Sequence, residues 1–244
     1  MSFWLIPVTL ISVLLILSLI RLNIPRNLSK EGLDDHESTL AYDRVSRWFF
    51  FDLIRFWVIR QLKRYPLRGK VVDAGCGPGY LTFAVAGKFP LTEITGIDLS
   101  QEMLELAIVK SSHTNLNSRV RFLKADVQQM PFQNCSIDFI ISTLSLHHWT
   151  DPKQALEEFH RVLKPAGRLM IFDLRRDAPH ILFYMVYLVQ RFLVPTSIHR
   201  VNGGIGSFWS SYTPTEIKIL LIASSFKHWE ICRGWGWLYV HSKK

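Results

Sequence analysis

An α/β domain with a doubly wound parallel sheet, set behind a transmembrane helix, is the fold class the sequence predicts. Three observations predict it. Short apolar runs alternate with helical patterns from Lys70 to Leu174, the signature of βαβ units with helices on both faces of a sheet. A glycine-rich turn, Gly75-Cys76-Gly77-Pro78-Gly79, directly follows the first of those runs, where such sheets bind their ligands. The chain also opens on a long uncharged apolar segment.

That segment, Phe3 to Ile20, reads FWLIPVTLISVLLILSLI. A spanning helix needs roughly 20 apolar residues, and Leu22 extends the run past Arg21. No charge precedes it and no small-x-small site follows, which disfavours a cleaved leader. A core helix would be amphipathic, and this run is apolar all round. Residues 1–24 are therefore expected to be a single-pass anchor in a membrane. Arg21, Arg26 and Lys30 follow the span and no Lys or Arg precedes it, so the globular part is expected on the cytosolic side.

Residues 25–69 read as a polar linker followed by an amphipathic cap, one helix or two short ones. Trp48, Phe49, Phe50, Phe51, Phe56 and Trp57 alternate there with Arg44, Arg47, Arg55, Arg60, Lys63 and Arg64. Such a stretch can pack on the main domain with its arginines solvated, lie in a membrane interface, or bind RNA. Next to an anchor, nucleic acid is the least favoured of the three.

The main domain, 70–244, follows. KVVDAG, EITGIDL, VRFLKADV, SIDFIISTLSL and RLMIFDL read as strands. YLTFAVAGKF, SQEMLELAIVKSS and DPKQALEEFHRVLK read as helices, the second capped by Ser100 and the third opened by Asp151 and Pro152. Residues 175–212 are apolar and aromatic, with NGGIG as a candidate hinge of a lid. HWEICRGWGWLYVHSKK closes the chain as two antiparallel strands.

Composition sets outer limits. The 244 residues suffice for one well-cored domain with decoration. A net charge of +9 suits nucleic acid or an anionic membrane equally. The three cysteines are far apart and form no CxxC, which argues against a disulfide framework and a zinc site; no metal is expected.

The glycine turn selects a ligand. A dinucleotide fingerprint is GxGxxG, and here the third glycine comes one place early. Asp73 stands two residues before the first glycine. A carboxylate would repel a pyrophosphate and attract an ammonium group. S-adenosylmethionine, with its α-amine, sulfonium and adenosine, suits such a site.

With VVDAGCGPGYLT, ITGIDLSQEML, VRFLKADVQQMPF, IDFIISTLSLHHW and RVLKPAGRLMIFD, the chain resembles the class I S-adenosylmethionine-dependent methyltransferases, in particular the methyltransferase type 11-like, small-molecule branch. The resemblance covers roughly Val71 to Asp173. It implies a Rossmann-like seven-stranded sheet with the last strand antiparallel. It implies cofactor contacts from Asp73 to the methionine amine, from Gly75, Gly77 and Gly79 along the methionine and ribose, and from Asp98 to the ribose hydroxyls. Leu99 and Met103 would line the adenine side, and Asp126, ending the third strand, would accept from the adenine amine beside Val127.

His147 and His148 are the candidate general bases, because an imidazole titrates near neutrality; a packing role under the next helix is the alternative, and many methyl transfers need no base. The acceptor is expected to be a hydrophobic or amphipathic small molecule, lipid or quinone-like, drawn from the bilayer. A catalytically inactive methyltransferase-like scaffold at the membrane is the alternative of a different class. The tetrapeptide [DN]PP[FY] of amino-group methylators is absent, the fourth strand ending instead in STLS.

Overall fold

The computed structural model describes residues 12, 16, 20–21, 24–27, 36–194 and 203–244. Helices α1 (His36–Val45) and α2 (Phe49–Leu62) lie before the sheet. Then come β1 (Gly69–Ala74), α3 (Tyr80–Lys88), β2 (Thr92–Asp98), α4 (Gln101–Ser112), β3 (Val120–Lys124), β4 (Ile137–Thr143), a 3-10 turn (Leu146–His148), α5 (Pro152–Val162) and β5 (Leu163–Leu174). The rest is α6 (His180–Leu193), α7 (Gly203–Ser210), α8 (Pro214–Ile222), β6 (His228–Arg233) and β7 (Trp237–Lys243).

The seven strands form one sheet in the order β3-β2-β1-β4-β5-β7-β6. β1 pairs in parallel with β2 on one side and β4 on the other, and β7 runs antiparallel to β5 and β6. The expected seven-stranded sheet with its last strand reversed is what the chain forms. Strand order reverses between β1 and β4, which opens a crevice beyond Ala74 and Thr143.

Alternate strand residues face opposite sides, and both sides are covered. Val72, Ile140 and Leu169 pack with Leu156 and Phe159 of α5 and Ile217 and Leu221 of α8. Val71, Ile141 and Met170 pack on the other side with Val58 and Leu62 of α2 and Leu81 and Val85 of α3. Burial on two faces is why these strands read as continuous apolar runs. The helix starts are set by local chemistry. Ser100 Oγ accepts from Met103 N at 3.3 Å, and Asp151 from Gln154 N at 2.9 Å ahead of Pro152. Thr213 and Glu216 form a reciprocal capping box before α8.

Three expectations need correction. β3 stops at Lys124, so Asp126 does not end a strand: its carboxylate accepts from Gln128 N at 2.8 Å and from Gln128 Nε2, and this local turn replaces the ladder. The expected hinge NGGIG is instead helical from Gly203 onward. A Cβ on Gly204 would sit 3.1 Å from Val186 Cγ1, so small residues here let α7 pack closely on α6. Finally, among the described residues no helix is long and apolar enough to cross a membrane. The transmembrane helix expected over 1–24 has no counterpart among them, because that run lies outside the described residues save for Ser12, Ile16, Ile20, Arg21 and Ile24.

From Ile20 onward, the described residues are stitched to the domain. Arg21 bridges Pro179, and His180 N donates to Ile20 O at 3.1 Å. Arg176 Nε donates to Ile24 O at 2.8 Å, and Asn27 N to Trp209 O at 3.0 Å.

Candidate active site

The glycine turn leaves β1 through three positive-φ residues: Gly75 (75°), Gly77 (52°) and Gly79 (82°). They do not have the same reason to be glycine. A Cβ at Gly75 would lie 2.1 Å from Ser145 Oγ, and one at Gly79 2.9 Å from Phe122 Cζ; these two are crowded by the protein itself. At Gly77 the nearest atom is Tyr42 Cε1, 4.0 Å away, so the backbone there presents an open face.

Two carboxylates, one buried and one half-buried, hold the turn. Asp73, 1% exposed, accepts from Thr82 Oγ1 at 2.6 Å. Burial pushes its pKa up to about 7, with Asp98 adding to the shift and the Thr82 bond opposing it. Asp98 accepts from Gly77 N at 2.7 Å and from Ser100 N at 3.0 Å. Burial raises its pKa too, against the pull of its backbone hydrogen bonds. Asp98 thus ties the glycine turn to the start of α4, where Met103 is buried and Leu99 is exposed. Ala125 N donates to Asp98 O at 3.0 Å, bringing Asp126 and buried Val127 alongside.

A cavity opens at the other end of the turn. It is lined by Asp73, Gly75, Tyr80 and Thr143 from the sheet side and by Ser46 and Arg55 from the cap. Sequence reasoning missed Ser46, Arg55 and Thr143. Arg55 donates to Ser46 O at 2.9 Å and to exposed Asp52 at 2.6 Å, and lies 5.1 Å over the Tyr80 ring. Thr143 Oγ1 is buried with no hydrogen-bond partner. One end of the site therefore offers a buried acid, a half-buried guanidinium and an orphaned hydroxyl. That set suits the amino-acid end of S-adenosylmethionine, which carries both an ammonium and a carboxylate. α1 closes over the turn: Asp43 accepts from Lys110 Nζ at 2.6 Å and from Tyr80 Oη at 3.1 Å. The side-chain thiol of Cys76 is buried and its pKa is raised by that burial, so it remains a protonated filler.

The histidines stand past β4. His147 is 2% exposed; its Nδ1–H donates to Asp173 Oδ1 at 2.7 Å, and its backbone N to Oδ2 at 3.1 Å. Donation from Nδ1–H to the carboxylate fixes the tautomer and leaves Nε2 as the basic nitrogen. The His148 ring lies 4.0 Å from that of His147. Solvent reaches part of His148, but protein surrounds most of its ring; this enclosure, with His147 second, holds its pKa far below the usual range. Asp173, near the end of β5, could not be singled out in the sequence, since only the β4–β5 pairing brings it to His147.

The glycine turn thus lies between a buried acid on β1 and the acid that ends β2. The methyltransferase domain family matches residues 72–171. The chain is 27% identical over 233 residues, 87% of its length, to 97% of a ubiquinone/menaquinone biosynthesis C-methyltransferase UbiE of Geotalea uraniireducens. It is 30% identical to that of Geotalea daltonii, covering 75% of this chain and 77% of the relative. Demethylmenaquinone methyltransferase of Porphyromonas gingivalis is 31% identical over 62% of this chain and 63% of its own. Among solved structures, Haemonchus contortus phosphoethanolamine N-methyltransferase 2 superposes with a TM-score of 0.65 at 16% identity, covering 88% of this chain and 59% of that one; this likeness concerns the fold. The chain belongs to the S-adenosylmethionine-dependent methyltransferase family. It is a methyltransferase, and S-adenosylmethionine is its cofactor.

Proposed function

We propose that this enzyme methylates a lipophilic, quinone-like small molecule at a membrane surface, held there by the apolar run 1–24. The observation that carries the proposal is the fold of the insertion. α6 leaves Tyr184, Met185, Leu188, Phe192 and Leu193 exposed, and α7, packed on α6, also meets the Leu146–His148 turn. An insertion with one apolar exposed helix and a second helix against the histidine turn suits an apolar acceptor, and the relatives named above as quinone methyltransferases point the same way.

In this reading Asp73 faces the methionine ammonium and Arg55 its carboxylate. Gly75, Gly77 and Gly79 let the turn lie against methionine and ribose. Asp98 accepts from the ribose hydroxyls, giving up its present bond to Gly77 N. Asp126 accepts from the adenine amine, with Leu99, Met103 and Val127 around the ring. The cofactor supplies an electrophilic methyl on a sulfonium. The chain's own task is alignment, desolvation and proton transfer. His147 would take the proton that the acceptor releases, at Nε2. Asp173 stabilises the resulting imidazolium. His147 is buried, so α7 must shift from the turn to admit the acceptor.

The test is label transfer. Full-length enzyme is given methyl-labelled cofactor and vesicles carrying a demethylated quinol. Label in the lipid extract, with S-adenosylhomocysteine in equal amount, supports the proposal. Turnover on water-soluble phenols or amines but none on the quinol would overturn it.

A further inference from the structure

Helix α2 has two unlike faces. Ile54, Val58, Ile59 and Leu62 are buried against the sheet. On the opposite side Phe49 is 79% exposed, Phe50 54%, Leu53 39%, Phe56 58% and Trp57 41%. At about 100° per residue these five positions fall within roughly 120° of arc, one continuous stripe. Monomeric surfaces carry scattered apolar residues, but four aromatic rings and a leucine in one stripe mark an interaction face.

The charges around the stripe say what covers it. Arg44 and Arg47 before the helix and Arg60, Lys63 and Arg64 at its end are exposed. Arg60 lies 5.5 Å over the Trp57 ring, as a cation does when it reaches past an aromatic toward headgroups. The one acid of the helix, Asp52, pairs with Arg55 at 2.6 Å. Aromatic rings flanked by basic side chains match the interfacial layer of an anionic bilayer. The helix also follows, by a short stretch, the apolar run that ends at Ile20.

We propose that α2 is itself a membrane-binding element: Phe49, Phe50, Leu53, Phe56 and Trp57 insert among the acyl chains of an anionic phospholipid bilayer while Arg44, Arg47, Arg60, Lys63 and Arg64 rest on its phosphates. This deepens the membrane-surface reading above and rests on it. The contact reaches the site directly. Phe51, Ile54 and Arg55, on the other flank of the same helix, line the cofactor cavity, so the bilayer fixes the orientation of the cleft.

The full chain, with Cys135→Ser and Cys232→Ser, is labelled with an environment-sensitive fluorophore through Phe56→Cys. A second sample carries the label through Ile219→Cys, an exposed residue of α8 on the opposite face of the sheet. Both are mixed with phosphatidylcholine vesicles containing phosphatidylglycerol. The expected result is a blue-shifted label at position 56, quenched by spin-labelled lipid, and a water-like label at 219. Arg60→Glu with Lys63→Glu should weaken that insertion about tenfold or more, since each basic residue near an anionic surface contributes measurably. If the protein binds vesicles yet position 56 reads like 219, this inference is overturned and the anchor alone holds the chain. If the protein does not bind vesicles at all, the membrane-surface reading falls with it. A label at 56 that is shielded in lipid-free detergent, together with a dimer in light scattering, would overturn the lipid assignment in favour of a second copy of the chain.

Discussion

The two halves of the cleft are built differently. The proposed cofactor half hangs on β1 and β2 and draws its glycine turn and both acids from residues 73–103, with Arg55, Thr143 and Asp126 added from elsewhere in the chain. Its two acids are already engaged: Asp73 with Thr82, Asp98 with Gly77 and Ser100. The acceptor half, past β4 and β5, is assembled from across the chain. His147 meets Asp173, Arg26 reaches His147 O, and Arg176 holds Ile24 O. Its outer helix α6 leaves apolar side chains in solvent. A half made of neighbours in sequence can hold a constant ligand; a half made of distant contacts can be retuned for a different acceptor without disturbing the first.

The sharpest break in this contrast is at His147, where the acceptor half is as rigid as the cofactor half. His147→Ala leaves Asp173, 2% exposed, without its buried partner. Loss of one member of a buried pair costs about 3–5 kcal/mol, read as a lower urea midpoint at unchanged slope. His147→Gln keeps an amide donor for Asp173 and should fold. Its kcat should fall about 100-fold or more, the share of a general base, at unchanged cofactor affinity. A Gln variant with full kcat would leave His147 a purely structural residue.

Next in size are the cofactor carboxylates. Asp98→Ala should weaken S-adenosylmethionine binding by about 1.5–3 kcal/mol, the range for hydrogen bonds to a charged group, and titration calorimetry measures it. Unchanged affinity would remove Asp98 from the ribose. Asp73 yields a pH dependence. Its folded-state pKa lies above the ordinary carboxylate value, at about 7. Stability from the buried neutral acid is therefore full below about pH 4 and is lost as pH rises to about 7. An ammonium ligand prefers the ionised acid, so affinity should climb with pH between 5.5 and 7, by up to about tenfold per unit. Asp73→Asn should bind weakly and lose that slope.

The contrast also explains what could be read in the residues. The frame of the proposed cofactor half was legible because strand, turn and acid follow one another, and each has a local reason: Gly77 an open backbone face, Asp98 a strand end, Ser100 a cap. β5 was legible from an apolar run buried on both faces, and the closing hairpin from the glycine turn at Gly234–Gly236. Arg55 and Ser46 were not, because a cap reveals which way its helix and turn residues point only after it docks. NGGIG misled for a physical reason: glycines that look like a hinge serve here as a close helix contact with Val186. Asp126 misled because its carboxylate prefers the turn at Gln128 to the end of a ladder.

The smallest expected effect tests whether the segment after the apolar run belongs to the acceptor half. Arg26 Nε donates to Ser210 O at 2.7 Å, its Nη2 reaches His147 O at 3.4 Å, and its guanidinium lies 3.9 Å over the Tyr212 ring. Three contacts thus join the N-terminal segment to α7 and to the histidine turn. The guanidinium stacking contributes about 0.5–1 kcal/mol where solvent has access, and the backbone bonds a similar amount. Arg26→Ala should therefore raise KM for the acceptor about 3- to 10-fold, with cofactor affinity and the melting transition nearly unchanged. Arg26→Lys keeps charge but loses the planar stack, and should recover only part of the loss. A change in cofactor affinity instead would place Arg26 in the cofactor half, and the two halves would then be one coupled unit.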